Sequence, residues 1–251
     1  MRPPWKVYVS GFLDWPVDMS EAVGFNEWRC KRNPSGYLFI GGFYDPEIEA
    51  PTKQAPTQGP LTRKLRSITE TRDGRAIKWT FDLLPVRWGV AHGIAATDYD
   101  VVVNLGVGVY SSRFGPGFET ILLLEEGARN RRSGGTDVDG ISIGDEVAPS
   151  AKIDANAGST LTAPAQIRRR VRSAAGNITA GTTTFTVLAD PARDTNVFVC
   201  NETHYIMLSQ ADPSRRLRQV YFIHIPKPSN MHGGRPLAFA LKALIEDLIQ
   251  P

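Results

Sequence analysis

Cysteine is scarce: the chain holds two, Cys30 and Cys200. Two thiols cannot build a disulfide framework, so the sequence predicts a reduced, cytoplasmic protein. Histidine is scarce as well, at four residues. No apolar run reaches the roughly 18 residues that a membrane-spanning helix needs. The opening MRPPWKVYVSGFLDW has basic residues but no continuous apolar stretch, which predicts no signal peptide. No sign of charge dominates: 29 Lys and Arg face 26 Asp and Glu, a net of +3. That balance argues against a dedicated nucleic-acid or polyanion binder, and the Arg168–Arg170 and Arg172 cluster reads as a solvated helix face. There is no internal repeat and no heptad pattern. What is present is an ordinary globular mixture, 41% hydrophobic and 22% charged over 251 residues. A chain of that length can bury one large core, so a single α/β domain over residues 1–251 is expected.

Strand-type runs recur at 6–12, 36–43, 76–84, 100–109, 119–126, 183–189 and 219–226. Several are almost continuously apolar, as in DVVVNLGVGV and QVYFIHIP, which predicts strands covered on both faces. AIKWTFDLL alternates instead, with Ile77, Trp79, Phe81 and Leu83 on one side, and reads as an edge or half-buried strand. Helical patterns are expected at 61–69, 86–97, 164–175, 201–210 and 235–249. The last has Leu237, Leu241, Leu244, Ile245 and Leu248 at helical spacing behind Pro236. Alternating strands and helices predict a three-layer αβα fold around a mixed, mainly parallel sheet. The proline-rich 45–60 and the Gly/Ser/Asp-rich 130–164 are expected to be surface loops.

Cys200 stands where an apolar run, Val197–Val199, meets the polar run NETHYIMLSQ. A thiol at the start of a helix is favoured as thiolate, and a histidinium partner favours it further. Of the four histidines, His92 lies in a helical pattern and His232 in a turn-like NMHGG. His204 falls one helical turn after Cys200, but no Cys or His cluster completes a metal site, so no metal and no cofactor is expected. His224 lies inside the apolar YFIHIP, where an imidazole is costly unless bonded or functional. Ends of sheet strands are where α/β folds build sites. Glu125 and Glu126 follow the apolar Ile121–Leu124, and strand alternation points one of them inward. A buried carboxylate there would orient the imidazole. The pair Gly106-x-Gly108 lacks the third glycine of a nucleotide-binding fingerprint, so a Rossmann-type binder is the weaker reading.

Together these motifs resemble the pyroglutamyl peptidase I family of cysteine peptidases. FVCN is similar to its nucleophile motif, YFIHIP to its histidine motif 24 residues later, and EEGARN to its glutamate motif, with Glu125, Ala128 and Asn130 on the matching positions. VYVSGFLDW resembles the family's opening, LLPV its LPV strand, and VVVNLGVG its LG segment, in the family's order. The resemblance implies the phosphorylase/hydrolase-like fold and a catalytic set of Cys200, His224 and Glu125. It places Phe12, Trp15, Phe198 and Val199 around the substrate, a peptide or small amide with an N-terminal pyroglutamyl group. It also implies an assembly of subunits, a homo-oligomer, with no nucleic-acid or membrane partner. Val107, Gly135 and Asn196 depart from the family's pattern. These departures leave a divergent cysteine amidase or peptidase, or a non-catalytic member, as alternatives.

Overall fold

The computed structural model describes residues 3–12, 64–72, 74–109, 111–130, 160–191, 198–226 and 234–249. Among the described residues there are ten strands: β1 (Trp5–Phe12), β2 (Lys64–Arg72), β3 (Arg75–Leu84), β4 (Val101–Val109), β5 (Ile121–Glu125), β6 (Gly127–Arg129), β7 (Thr160–Thr162), β8 (Gly176–Ala180), β9 (Thr183–Asp190) and β10 (Gln219–Pro226). Eight make one sheet in the order β2-β3-β1-β4-β10-β5-β9-β8, and β6 pairs with β7 apart from it. The pairs β3–β1, β1–β4, β4–β10 and β5–β9 are parallel; β2–β3, β10–β5 and β9–β8 are antiparallel. The sheet is therefore mixed and mainly parallel, as the alternating patterns predict. The central strands are its driest part. Val101, Val102, Val103 and Leu105 of β4 and Tyr221 and Ile223 of β10 have no exposed surface, which is why these runs show little alternation.

Helices cover both faces, and β10 shows how. Successive residues of a strand point to opposite sides. The Tyr221 hydroxyl donates to the Leu248 carbonyl at 3.0 Å, so it faces the helix Gly234–Leu248. The ring of Phe222 instead lies 5.6 Å from that of His204, on the helix Val199–Gln210. The helix Gly234–Leu248 buries the expected Leu237, Leu241, Leu244, Ile245 and Leu248 and packs on β8, β9 and the helix Ala165–Ala174. The helix Val199–Gln210 is enclosed on several sides, between β4, β10, the β6–β7 pair and the segment after β3. Among the described residues no helix is long and apolar enough to cross a membrane.

Three sequence expectations are corrected here. Residues 61–69, read as a helix, contribute to β2, whose threonines and Ile68 suit a pleated strand better than a helix. Its hairpin with β3 closes at Arg72 opposite Arg75, and Gly74 has φ +72°, the turn conformation that an Asp-Gly pair announces. Because β2 takes the edge, β3 is not the edge strand, and Thr80 and Asp82 are buried as well as Trp79 and Phe81. Residues 86–97 form no α-helix but two short 3-10 turns, Val90–Gly93 and Ala96–Asp98; Gly89 at φ +76° breaks the helical path. The strand-type run 36–43, the 45–60 stretch, nearly all of the 130–164 stretch, Trp15 and Cys30 lie outside the described residues.

Tyr221→Phe removes the hydrogen bond between the sheet and the last turn of the helix Gly234–Leu248. It is expected to lower unfolding free energy by about 1 kcal/mol in urea titration, the net worth of one intramolecular hydrogen bond. An unchanged midpoint would show that this bond does not tie the two layers.

Candidate functional site

One face of the sheet gathers the polar groups. In β4, Asn104, Gly106 and Gly108 point the same way, and pairing sets Gly106 beside His224 and Asn104 beside Phe222. In the antiparallel contact of β10 with β5, Leu123 lies opposite His224. Glu125, two residues further on, therefore shares the face with His224. The parallel set β3, β1, β4 and β10 runs one way, and β5 and β9 run the other. His224 and Glu125 meet at the seam between the two sets.

Their contact is direct. His224 Nδ1 lies 2.9 Å from Glu125 Oε1, and both side chains are almost wholly buried. The Cys200 sulfur lies against Gly106, the residue paired with His224, so the thiol stands beside the imidazole. Burial opposes a charge on His224, but the hydrogen bonds to Cys200 and Glu125, with the Glu125 charge, outweigh it and push its pKa up to about 10. Burial likewise pushes the Glu125 carboxyl up, while His224 draws it back down. Strand alternation separates the two neighbouring glutamates: Glu126 faces the other way and binds Arg172, at 2.5 and 3.0 Å.

Cys200 is partly exposed. It does not precede the helix, as the sequence reading supposed, but sits in its first turn: the helix starts at Val199 with Phe198 as N-cap. The N–H groups of a first turn have no acceptor within their own helix and carry the positive end of its dipole. The residues around the thiol are fixed from both sides. Asn201 clamps Arg129, accepting from its N–H at 2.7 Å and donating to its carbonyl at 2.9 Å. Glu202, fully buried, accepts from the Gly89 N–H at 2.7 Å. Trp88, next to Gly89, stands edge-on to Phe198 with ring centroids 5.2 Å apart.

The other expected site residues are placed as follows. Phe12 is buried at the end of β1, and Val199 is buried in the hydrophobic core. Phe198 is half-buried against Trp88. His204 is fully buried one turn after Cys200, with neither ring nitrogen hydrogen bonded. Among the described residues no group of three His, Cys, Asp or Glu could hold a metal.

Sequence reasoning missed the two glycines. A Cβ on Gly106 would come within 2.8 Å of the Cys200 sulfur and 2.9 Å of the Phe222 ring, and one on Gly108 would fall on the His224 imidazole. The Gly-x-Gly of β4 is thus the floor under the thiol and the imidazole, not a phosphate loop. The available signal was glycine at i and i+2 inside a strand, a mark of close approach by another group. The Asp190–Arg113 pair, the Glu202–Gly89 bond and Trp88 also escaped notice, since each depends on long-range placement.

A scan of protein-family models finds no match, and neither does a search of curated proteins. Among solved structures, the chain is similar to Helicobacter pylori MTAN, with a TM-score of 0.39 and 9% identity, over 97% of this chain and 98% of that one. It is also similar to a futalosine hydrolase mutant of Helicobacter pylori strain 26695, with a TM-score of 0.36 and 10% identity, over 96% and 99% of the two chains. These comparisons correct the functional expectation drawn from the sequence motifs. Neither of these two neighbours is a pyroglutamyl peptidase, and the pyroglutamyl peptidase assignment is withdrawn. Likeness this distant transfers no substrate to this chain.

Two substitutions test the geometry. Glu125→Gln removes the charge that helps hold a proton on His224, so the imidazolium beside the thiol becomes less stable. Alkylation of Cys200 by iodoacetamide is expected to need a higher pH and to slow at pH 7 by about tenfold, the equivalent of one pKa unit; an unaltered profile would remove Glu125 from the relay. Gly108→Ala drives a methyl into the imidazole and is expected to cost about 1–3 kcal/mol, as overpacking does. Chemical denaturation checks it, and full retention of stability would mean that His224 has room to move.

Proposed function

We propose that this site is the active centre of a hydrolase whose nucleophile is the Cys200 sulfur and whose substrate is a small acyl compound. The observation that carries the reading is the 2.9 Å contact of the His224 imidazole with the buried Glu125 carboxylate, with the Cys200 thiol beside that imidazole in the first turn of its helix. A nucleophile beside a base that a third group orients is the arrangement covalent catalysis requires. The imidazolium side of the relay is favoured, with His224 charged up to about pH 10. An imidazolium is the counter-ion of a thiolate and the acid that a leaving group needs.

The reaction follows from these groups. The Cys200 thiolate attacks the acyl carbonyl carbon, forming a C–S bond. The carbonyl oxygen takes the negative charge, and first-turn N–H groups of the helix Val199–Gln210 stabilise it. The bond to the leaving heteroatom breaks as His224 donates its proton to that atom, and a thioester remains. Water then attacks the thioester while His224 accepts its proton. The C–S bond breaks, the acid departs and Cys200 is regenerated. Glu125 holds the ring in one tautomer and balances its charge during each transfer. The motif order that resembles the pyroglutamyl peptidase I family supports these three roles residue by residue and carries no substrate with it.

Incubation with a panel of activated p-nitrophenyl esters of small acids tests the reading. The wild type is expected to release p-nitrophenol and to gain the mass of the acyl group on Cys200 in intact-protein mass spectrometry. Cys200→Ala should lose both signals, and His224→Ala should reduce turnover at least a hundredfold, the usual scale of general acid–base assistance. A wild-type thiol that forms no adduct with any ester and alkylates no faster than free cysteine would overturn the proposal.

A further inference from the structure

Glu125 has a second carboxylate beside it. In the parallel pairing of β5 with β9 it lies opposite Asp190, so both side chains share the site face. Asp190 is buried too, at 3% exposure. Two carboxylates brought this close oppose each other's ionisation, yet a charged His224 needs an ionised Glu125.

Arg113 answers this conflict. It belongs to the short helix Ser111–Phe114, which follows β4 directly. Its Nη2 lies 3.0 and 2.9 Å from the two oxygens of Asp190, with the guanidinium over the ring of Phe114. The contact joins the end of β4 to the end of β9, across β10 and β5, and so bridges the seam that holds His224 and Glu125. Among the described residues, charged groups acting on Glu125 include His224 from β10, Asp190 from β9 and Arg113 from the short helix. Asp190 pushes the Glu125 carboxyl up and Arg113 brings it down.

We infer that Arg113 and Asp190 form a positioning ion pair for the relay: Arg113 cancels the Asp190 charge beside Glu125, so that Glu125 remains a carboxylate and holds the His224 imidazolium. Arg113 touches no reacting atom in this role and acts through Glu125. The inference rests on the relay proposed above, but its test reads the relay rather than turnover.

The test is the pH profile of Cys200 alkylation by iodoacetamide, with each variant checked for a native circular-dichroism spectrum. Arg113→Met keeps a long apolar stem against Phe114 and removes the charge. Its midpoint is expected to move to higher pH, with the rate at pH 7 down about tenfold, the value of one pKa unit. Arg113→Lys should lie between it and the wild type. Adding Asp190→Asn to Arg113→Met removes both charges and is expected to restore most of the lost rate. A wild-type profile in folded Arg113→Met overturns the inference. So does a double variant as slow as the single one, because the loss would then not come from the uncancelled Asp190 charge. Failure of the ester assay alone would leave these shifts in place, so the two proposals fail separately.

Discussion

The site depends on one hydrogen bond, between His224 Nδ1 and Glu125 Oε1 at 2.9 Å. It joins two strands that run in opposite directions, β10 and β5, at the line where the sheet changes sense. Neither group could stay buried alone. An uncompensated ion in the interior is strongly unfavourable, and removing one partner of a buried pair costs on the order of 3–5 kcal/mol. The pair therefore constrains the fold as well as the chemistry. It fixes the register of β5 against β10, because a slip of one residue would send Glu125 to the opposite face and bring Glu126 in. It also fixes the imidazole, because Nδ1 bound to a carboxylate leaves one nitrogen, with one direction, for the sulfur.

Around that bond the molecule buries a cluster of polar groups, some of which have partners. The first turns of the helix Val199–Gln210 bury Asn201, Glu202, Thr203 and His204, an unusual load for a helix enclosed by a sheet. Asn201 satisfies both backbone groups of Arg129, and Glu202 takes the N–H of Gly89. Unpaired, such groups would each cost a few kcal/mol, so the neighbouring segments are held where the helix needs them. On the far side of the sheet the packing is apolar, and the helix Gly234–Leu248 docks by its leucines. One face of the sheet thus supplies most of the adhesion and the other carries the chemistry.

Much of this was legible in the sequence, for physical reasons that can be named. The buried strands announce themselves as unbroken apolar runs, and the helix at 234–248 by its leucine spacing. Alternation required one of Glu125 and Glu126 to point inward, and the structure turns Glu125 in and Glu126 out. The failures have causes as specific. The 61–69 stretch offers a helical pattern, while the Asp-Gly pair that marks it as a hairpin arm lies just beyond it. Gly106 and Gly108 were weighed as half of a nucleotide motif. Their role depends on Cys200 and His224, which approach them from elsewhere in the chain. No local pattern carries that. The Arg113–Asp190 pair, 77 residues apart, is illegible for the same reason. The substrate was the least legible feature. The motifs name groups able to make and break bonds and say nothing of what they act on.

The two histidines beside the thiol show how completely environment, rather than residue type, sets the chemistry. His204 and His224 are both enclosed, and both pack against Phe222, with ring centroids 5.6 and 4.9 Å away. Burial works against the charged form of each. Yet His224 is pushed up to about 10, while His204 is held down at about 3. The difference lies in their partners: His224 has a carboxylate on one side and a thiol on the other, and His204 has only an aromatic ring and the repulsion of His224. A second charge on this face would compete with the first for Glu125. Keeping His204 neutral confines the mobile proton to one ring and makes the direction of transfer definite. The fold therefore specifies the charge state of the site by controlling which imidazole meets an acid, and the β10–β5 register is what decides it.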